Sequence, residues 1–230
     1  MPLPIRHPEA LAPASRALLA TLGPVLHEAE LYLAGSGGLA LYVGHRTVRD
    51  LDLMSMTNRF TPTDRRDLLQ ALLSTGAPLA AQVQVETARD GYLALRGIGE
   101  AVAPAALRLY YYPYPLVAPA EEHMGVEVAS ALDLGLMKLG AIISRGTRRD
   151  FVDLYLLCQE LPLADLLAAA ADKFGHVGDF PLQALKGLAD RSEVAGEPMP
   201  PLDVPLLWST VEAWLDASVR ELGAAHVGLT

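Results

Sequence analysis

Between Glu30 and Met54 the chain reads as strand, glycine turn, helix and returning strand, an order that narrows sharply the folds open to it. Glu30-Leu-Tyr-Leu-Ala34 reads as a short strand and runs directly into Gly35-Ser-Gly-Gly38. Leu39 to Val43 reads as helix, with Gly44 in the usual C-terminal stop position. Asp50-Leu-Asp-Leu-Met54 then alternates polar and apolar residues, the period-2 pattern of a half-buried strand. A strand that ends in Gly-Ser and feeds a helix presents free backbone amides and a positive dipole end, so it binds phosphate without a cationic side chain. A Cβ at Gly35 would block close approach of a phosphate, and Ser36 can donate a hydroxyl. Asp50 and Asp52 stand two apart on a strand, so they face one side with Cα atoms roughly 6.5–7 Å apart. Two carboxylates so placed repel each other unless a cation lies between them. Mg²⁺, which takes oxygen ligands and keeps waters for substrate phosphates, is the natural occupant. Taken singly, Gly-Ser reads as an ordinary turn and Asp-x-Asp as a strand-edge pair. Their convergence through strand, helix and returning strand favours a functional site.

The bulk properties set limits around that site. With 18 Lys and Arg against 27 Asp and Glu, the net charge of −9 argues against broad, nonspecific DNA or RNA coating, which needs a basic surface. A local pocket for a triphosphate or an RNA end is still compatible with that charge. Cys158 is the sole cysteine, so no internal disulfide forms and a reducing compartment fits. Met1 to Glu9 shows no signal-peptide pattern, and the apolar stretches are interrupted well before the roughly 20 residues of a membrane span. A soluble, cytoplasmic protein is expected.

The flanking segments predict an α+β core over residues 1–127 and a helical region over 128–230. Ala14 to Glu28 reads as a helix that Gly23-Pro24 should break in two. Thr61-Pro-Thr-Asp64 opens another, closed by Gly76. Three strand-like runs follow at Ala80–Thr87, Gly91–Arg96 and Leu107–Tyr112, and a proline-rich stretch from Pro113 to Pro119 ends the block. Beyond it, Ser130-Ala-Leu-Asp133 and Thr147-Arg-Arg-Asp150 read as capping boxes for helices reaching about Ser144 and Gln159. Leu163–Phe174, Pro181–Asp190 and a last helix carrying Trp208, Trp214 and Leu215 complete the helical half.

Leu33-Ala-Gly-Ser-Gly-Gly-Leu-Ala-Leu41, with Gly44-His45-Arg46 and Asp50-Leu-Asp52, resembles the first motif of the AbiEii/AbiGii-type nucleotidyltransferase toxin family. Leu132-Asp-Leu-Gly-Leu-Met-Lys138, then Arg145-Gly146 and Arg149-Asp150-Phe-Val-Asp153-Leu-Tyr155, resembles its second conserved region. The resemblance implies a DNA-polymerase-β-like nucleotidyltransferase fold: a short mixed β-sheet flanked by helices, with a helical C-terminal half. It implies Mg²⁺-dependent transfer of a nucleoside monophosphate from an NTP to an RNA, tRNA or protein acceptor. Gly35 and Ser36 would then hold the β- and γ-phosphates, Asp50 and Asp52 the metals, and Lys138 would reach the nucleotide. Many relatives are toxins encoded beside an antitoxin, so a cognate antitoxin is an expected partner.

The pattern departs from the fold's usual form in one place. A third carboxylate belongs on a later strand, and Leu107-Arg-Leu-Tyr-Tyr-Tyr112 offers none; Arg108, Tyr110 and Tyr112 would share its one face. Glu86 is the only nearby strand carboxylate. A catalytically weakened fold that binds nucleotide or a partner without turnover is therefore the alternative to an active enzyme. Lys138, the lone cation on a largely apolar helix, has a solvated-surface reading beside the functional one. Arg145, Arg148 and Arg149 read as a solvated helix junction against a phosphate clamp, Asp150 as a helix cap, and Asp153 as the partner of a neighbouring arginine. His45 is a weak phosphate candidate beside a structural role, and the tyrosines at 110 to 114 read as packing. Gly35-Ser-Gly37-Gly-Leu-Ala40 loosely fits a dinucleotide fingerprint, but no βαβ alternation follows. An aspartyl-phosphate phosphatase loop is disfavoured by Met54, where threonine or valine is expected.

Overall fold

The strand expected over Asp50–Met54 forms at Leu51–Ser55, with Asp50 just before it, in a seven-stranded mixed sheet. The computed structural model describes residues 3–75, 83–97 and 106–226. In chain order the elements are α1 (Pro13–Glu28), β1 (Tyr32–Ala34), α2 (Gly35–Val43), β2 (Leu51–Ser55), α3 (Pro62–Ser74), β3 (Val83–Arg89), β4 (Tyr92–Gly97) and β5 (Ala106–Tyr111). They continue as β6 (Glu121–His123), β7 (Val126–Val128), α4 (Ala131–Ser144), α5 (Arg148–Leu157), α6 (Leu163–Phe174), α7 (Phe180–Ala189) and α8 (Trp208–His226). The protein is thus mixed α+β. Two compact units make it up: Pro4–Pro115 with Pro119–Ser130, and Met1–Leu3 and Leu116–Ala118 with Ala131–Thr230.

The sheet lies wholly in the first unit, in the order β3-β4-β5-β2-β1-β7-β6. β1 pairs parallel with β7 and β2 pairs parallel with β5, while the other neighbours are antiparallel. Register makes its faces legible. Leu33, Leu53, Leu109 and Leu93 stand opposite one another across β1, β2, β5 and β4, and all four are fully buried. This continuous apolar row anchors one face of the sheet. Because side chains alternate, the adjacent row of Ala34, Asp52, Arg108 and Ala94 must occupy the other face. The apolar face thereby fixes which residues the site can contain.

α1 is one uninterrupted helix with Pro24 inside it, not the two pieces that Gly23-Pro24 predicts. Leu18, Leu19, Leu22 and Leu26 are buried along one stripe, and that burial outweighs the hydrogen bond lost at the proline. Gly23 removes the clash a side chain before proline would make, and it meets Gly125 so closely that a Cβ would lie 2.6 Å from the Gly125 carbonyl oxygen. The short hairpin of β6 and β7, turning at Met124-Gly125, is absent from the sequence reading, since three-residue strands carry too few positions for a period. Gly76 and the first residues of the run Ala80–Thr87 lie outside the described residues.

The second unit is a set of helices around α4. Gly135 lets Leu166 of α6 approach the α4 backbone. Phe151 and Tyr155 of α5 meet Trp208 and Trp214 of α8 edge-on, with ring centroids 6.2 and 5.5 Å apart. Asp133, expected in a capping box, holds other segments. Its two oxygens accept the Val117 and Ala118 amides at 2.9 and 3.1 Å, and Oδ1 also takes Lys173 Nζ of α6 at 2.8 Å in a buried ion pair. The Thr147–Asp150 capping box forms as read. Among the described residues no helix is long and apolar enough to cross a membrane.

Candidate active site

Ala34 ends β1 in extended conformation and is the N-cap of α2, so the strand passes into the helix without a loop. The turn is made by Gly35 at φ +57°, in the left-handed region that L side chains rarely adopt. A second constraint acts at the same residue. Ala34 stands opposite Asp52 in the sheet, and a Cβ on Gly35 would lie 2.5 Å from Asp52 Oδ2. The first amides of α2 and the Asp52 carboxylate are thus brought together by a contact that only glycine permits. At the far end of α2, Gly44 is left-handed and ends the helix as expected.

Asp50 and Asp52 do present their carboxylates to one side, and a single cation reports it. Arg108 Nη2 donates to Asp50 Oδ2 at 2.7 Å, and Nη1 lies 3.5 Å from Asp52 Oδ1. Asp50 Oδ1 also accepts the Ala106 amide at 3.2 Å, which ties it to the start of β5. Partial burial disfavours the charge on Arg108, but the hydrogen bond and field of Asp50, with the field of Asp52, raise its pKa overall. One row further along this face come Tyr32, Met54, Tyr110 and Tyr92. The Tyr92 and Tyr110 rings are 4.9 Å apart, and the Arg89 guanidinium lies 5.2 Å from the Tyr92 ring centre. Burial and the field of Asp52 push the Tyr110 phenol up, so it stays protonated at neutral pH.

The strand expected to carry a third acid therefore carries Arg108 opposite Asp52 and Tyr110 opposite Met54. Glu86, the nearby strand carboxylate of the sequence, is placed here by its backbone alone. It sits at a register break in the edge strand β3, with β4 and β5 between it and β2, about 14 Å away at ordinary strand spacing. Among the described residues no group of three His, Cys, Asp or Glu side chains is placed to hold a metal. The two aspartates do fit a single hard divalent ion. Their oxygens converge on one place, and the guanidinium already there shows that this place draws a cation.

The second conserved stretch forms a cluster within the helical unit. Lys138 is buried rather than solvated, and its Nζ donates to Asp150 Oδ1 at 3.0 Å and to Asp153 Oδ2 at 2.7 Å. Asp153 thus pairs with a lysine from α4, where the sequence predicts an arginine. Burial opposes the charge on Lys138, but the fields of Asp153 and Asp150 raise its pKa. Burial likewise opposes ionisation of Asp150, yet Lys138 and the Thr147 hydrogen bonds hold its carboxyl below the usual range. Arg148 is neither solvated nor poised for phosphate: it donates to the Val194 and Ala195 carbonyls at 2.8 Å and stacks 4.7 Å from the Trp208 ring centre. Arg145 and Arg149 are exposed. His45 is buried, with Arg46 Nε 3.1 Å from its Nε2, which favours the structural reading. Burial pushes the Cys158 thiol up to about 12, so it is no thiolate nucleophile at neutral pH.

This arrangement, a glycine turn feeding a helix beside an aspartate pair on the returning strand, is that of a nucleotidyltransferase fold. The solved structures agree on the fold. A candidate nucleotidyltransferase from H. pylori superposes with a TM-score of 0.60 at 17% identity, covering 94% of this chain and 95% of its own. MenT4, a nucleotidyltransferase toxin from Mycobacterium tuberculosis, does so with a TM-score of 0.51 at 16% identity, covering 90% and 84%. The chain belongs to the AbiEii family: the family model, described as the nucleotidyl transferase AbiEii toxin of type IV toxin–antitoxin systems, matches residues 16–203. A curated relative, an uncharacterised protein of Aquifex aeolicus, is 26% identical over 199 residues, 84% of this chain and 87% of its own length.

Proposed function

We propose that the chain is a Mg²⁺-dependent nucleotidyltransferase that moves a nucleoside monophosphate from an NTP to an RNA or protein acceptor, as the toxin of a toxin–antitoxin pair. The observation that carries this is the close approach of Gly35 to Asp52, which supports phosphate binding by the α2 amides beside that carboxylate. In the reaction an acceptor hydroxyl oxygen attacks the α-phosphorus. The bond from that phosphorus to the bridging oxygen breaks, pyrophosphate leaves, and the hydroxyl proton passes to solvent. A bound divalent ion would be held by Asp50 and Asp52 and would neutralise charge developing on the phosphoryl oxygens. Gly35 and Ser36 hold the β- and γ-phosphates at the α2 N-terminus, which orients the leaving group. Lys138 reaches the nucleotide in the same reading. Its buried aspartate partners keep it charged, which suits a phosphate contact.

The test is labelled NTP incubated with Mg²⁺, the chain and a pool of RNA, tRNA and protein. Wild type labels an acceptor, and Asp52→Ala lowers the rate about 10³-fold or more, the scale at which a principal electrostatic group is lost. Equal labelling by Asp52→Ala would remove the assignment. A second reading, a nucleotidyltransferase fold that binds nucleotide or a partner without turnover, is favoured by Arg108 and Tyr110 on the strand where a third acid is expected. Calorimetric NTP binding with no transfer to any acceptor selects it.

A further inference from the structure

We infer that Arg108 is a resident counter-cation of the Asp50–Asp52 pair and limits that pair to a single divalent ion. The inference rests on the metal-binding reading above. Arg108 stands directly opposite Asp52 in the β2–β5 register, and its guanidinium also reaches Asp50. With Nη2 2.7 Å from Asp50 and Nη1 3.5 Å from Asp52, one side chain spans both carboxylates, as a second ion would in a two-ion site. The rest of the row cannot compensate, since Ala34 beside Asp52 and Ala94 beside Arg108 carry no side-chain oxygen. The next row, with Tyr32, Met54, Tyr110 and Tyr92, holds no carboxylate.

The charge count points the same way. Asp50 and Asp52 supply two negative charges and Arg108 one positive charge that cannot be given up as a proton, which gives these three side chains a sum of −1. One divalent ion brings it to +1. A second would bring it to +3, with no further carboxylate in these rows to receive it. Arg108 thus takes the part of the third acid's metal by being a cation itself. The chain keeps an aspartate pair in place when no ion is bound, at the cost of weaker ion binding.

Mn²⁺ titration of the full chain, with free ion followed by electron paramagnetic resonance, tests the count directly. Wild type is expected to bind one Mn²⁺ per chain. Arg108→Met, which keeps length and apolar contact but removes the charge, is expected to bind its first Mn²⁺ about tenfold more tightly or better and to admit a second. Arg108→Lys keeps one ion. Two ions on wild type overturn the inference with no variant needed, so a variant that fails to fold does not decide the matter. An unchanged titration for folded Arg108→Met overturns it as well. If Asp52→Asn removes the wild-type ion while Arg108→Met changes nothing, metal binding stands and this inference alone fails. If neither wild type nor Arg108→Met binds Mn²⁺, the metal reading falls and takes the inference with it.

Discussion

Each unit of the molecule holds a cation between two aspartates, and the two clusters differ in how solvent reaches them. Arg108, Asp50 and Asp52 keep 33%, 42% and 21% of their side-chain surface exposed on the sheet face. Lys138, Asp150 and Asp153 keep 9%, 6% and 0% in the helical unit. Both aspartate pairs are spaced to share a face: two apart where the chain enters β2, three apart on a helix. Chemistry and spacing are therefore alike, and surroundings decide the consequence. An open pair is screened, contributes little to stability and can admit an incoming ion beside its partner. A closed pair has already been desolvated, so removing one member leaves uncompensated charge. Substitutions should separate the two clusters by what they damage.

The largest stability effect is expected in the closed cluster. Lys138→Met leaves Asp150 and Asp153 without the ammonium that both contact, and should cost about 3–5 kcal/mol. Thermal unfolding followed by the fluorescence of Trp208 and Trp214, both in α8, reads this as a fall in Tm of at least about 10 °C. A fall of only one or two degrees would mean that the cluster is open in solution, and the contrast would collapse. Assayed below its melting point, the same variant also tests the nucleotide role. A raised KM for NTP at full folded fraction places the ammonium on the nucleotide.

Next comes Gly35→Ala, which loads the open site with strain. A left-handed alanine costs about 1–2 kcal/mol, and its Cβ collides with the Asp52 carboxylate. Displacing that carboxylate by an ångström should lower transfer on the order of 10²-fold. Asp52→Ala removes the carboxylate that the Cβ would strike, so the two changes should be strongly non-additive in a double-mutant cycle. Additive effects would show that Gly35 acts only through its backbone conformation.

How much of this the sequence discloses depends on whether a residue's role is local. The Gly35 turn and the facing of Asp50 and Asp52 are local consequences of period and spacing, and both are readable from the chain. So is the Thr147–Asp150 box, because a cap is complete within four residues. Arg108 is readable as a departure from pattern but not as the partner of Asp50, because that pairing depends on β2 lying parallel to β5 across 58 residues. The burial of Lys138 is unreadable for the same reason, since it requires α4 to pack on α5. Arg148 misleads in the opposite direction. Its neighbours Arg145 and Arg149 are exposed, and only the approach of Val194, Ala195 and Trp208 turns it inward. Pro24 shows that a local rule yields when the stripe of leucines beside it is buried.

A smaller effect lies in the acid limb of stability. The Asp150 carboxyl is held below its ordinary value, so its contribution is fully present above about pH 4. That contribution is lost as pH falls through the folded value. Lys138 is raised, so its share persists below about pH 10 and fades only as pH rises beyond. The closed cluster should hold the helical unit at constant stability between those limits. Urea unfolding at pH 7, 4 and 3 should therefore lose stability toward acid in wild type and lose less of it in Asp150→Asn. An acid limb of equal slope in both would assign the loss to other carboxylates.

The smallest expected effect is at Arg108 itself, and its smallness is what the open cluster predicts. Without divalent ions, Arg108→Met removes one cation from a pair whose members are a third or more exposed at Arg108 and Asp50. After discounting for solvent screening, the cost is about 1 kcal/mol or less. Wild-type Tm should fall slightly as salt rises from low to about 0.5 M, and the variant should show less of that dependence, because screening acts on a charge it no longer has. Saturating Mn²⁺ should then raise the variant's Tm more than that of wild type, since stabilisation by a ligand grows with its affinity for the folded state. A large loss of stability in ion-free Arg108→Met would instead make the guanidinium a structural member, as Lys138 is in its own unit, and the aspartate pair would be closed to an incoming ion.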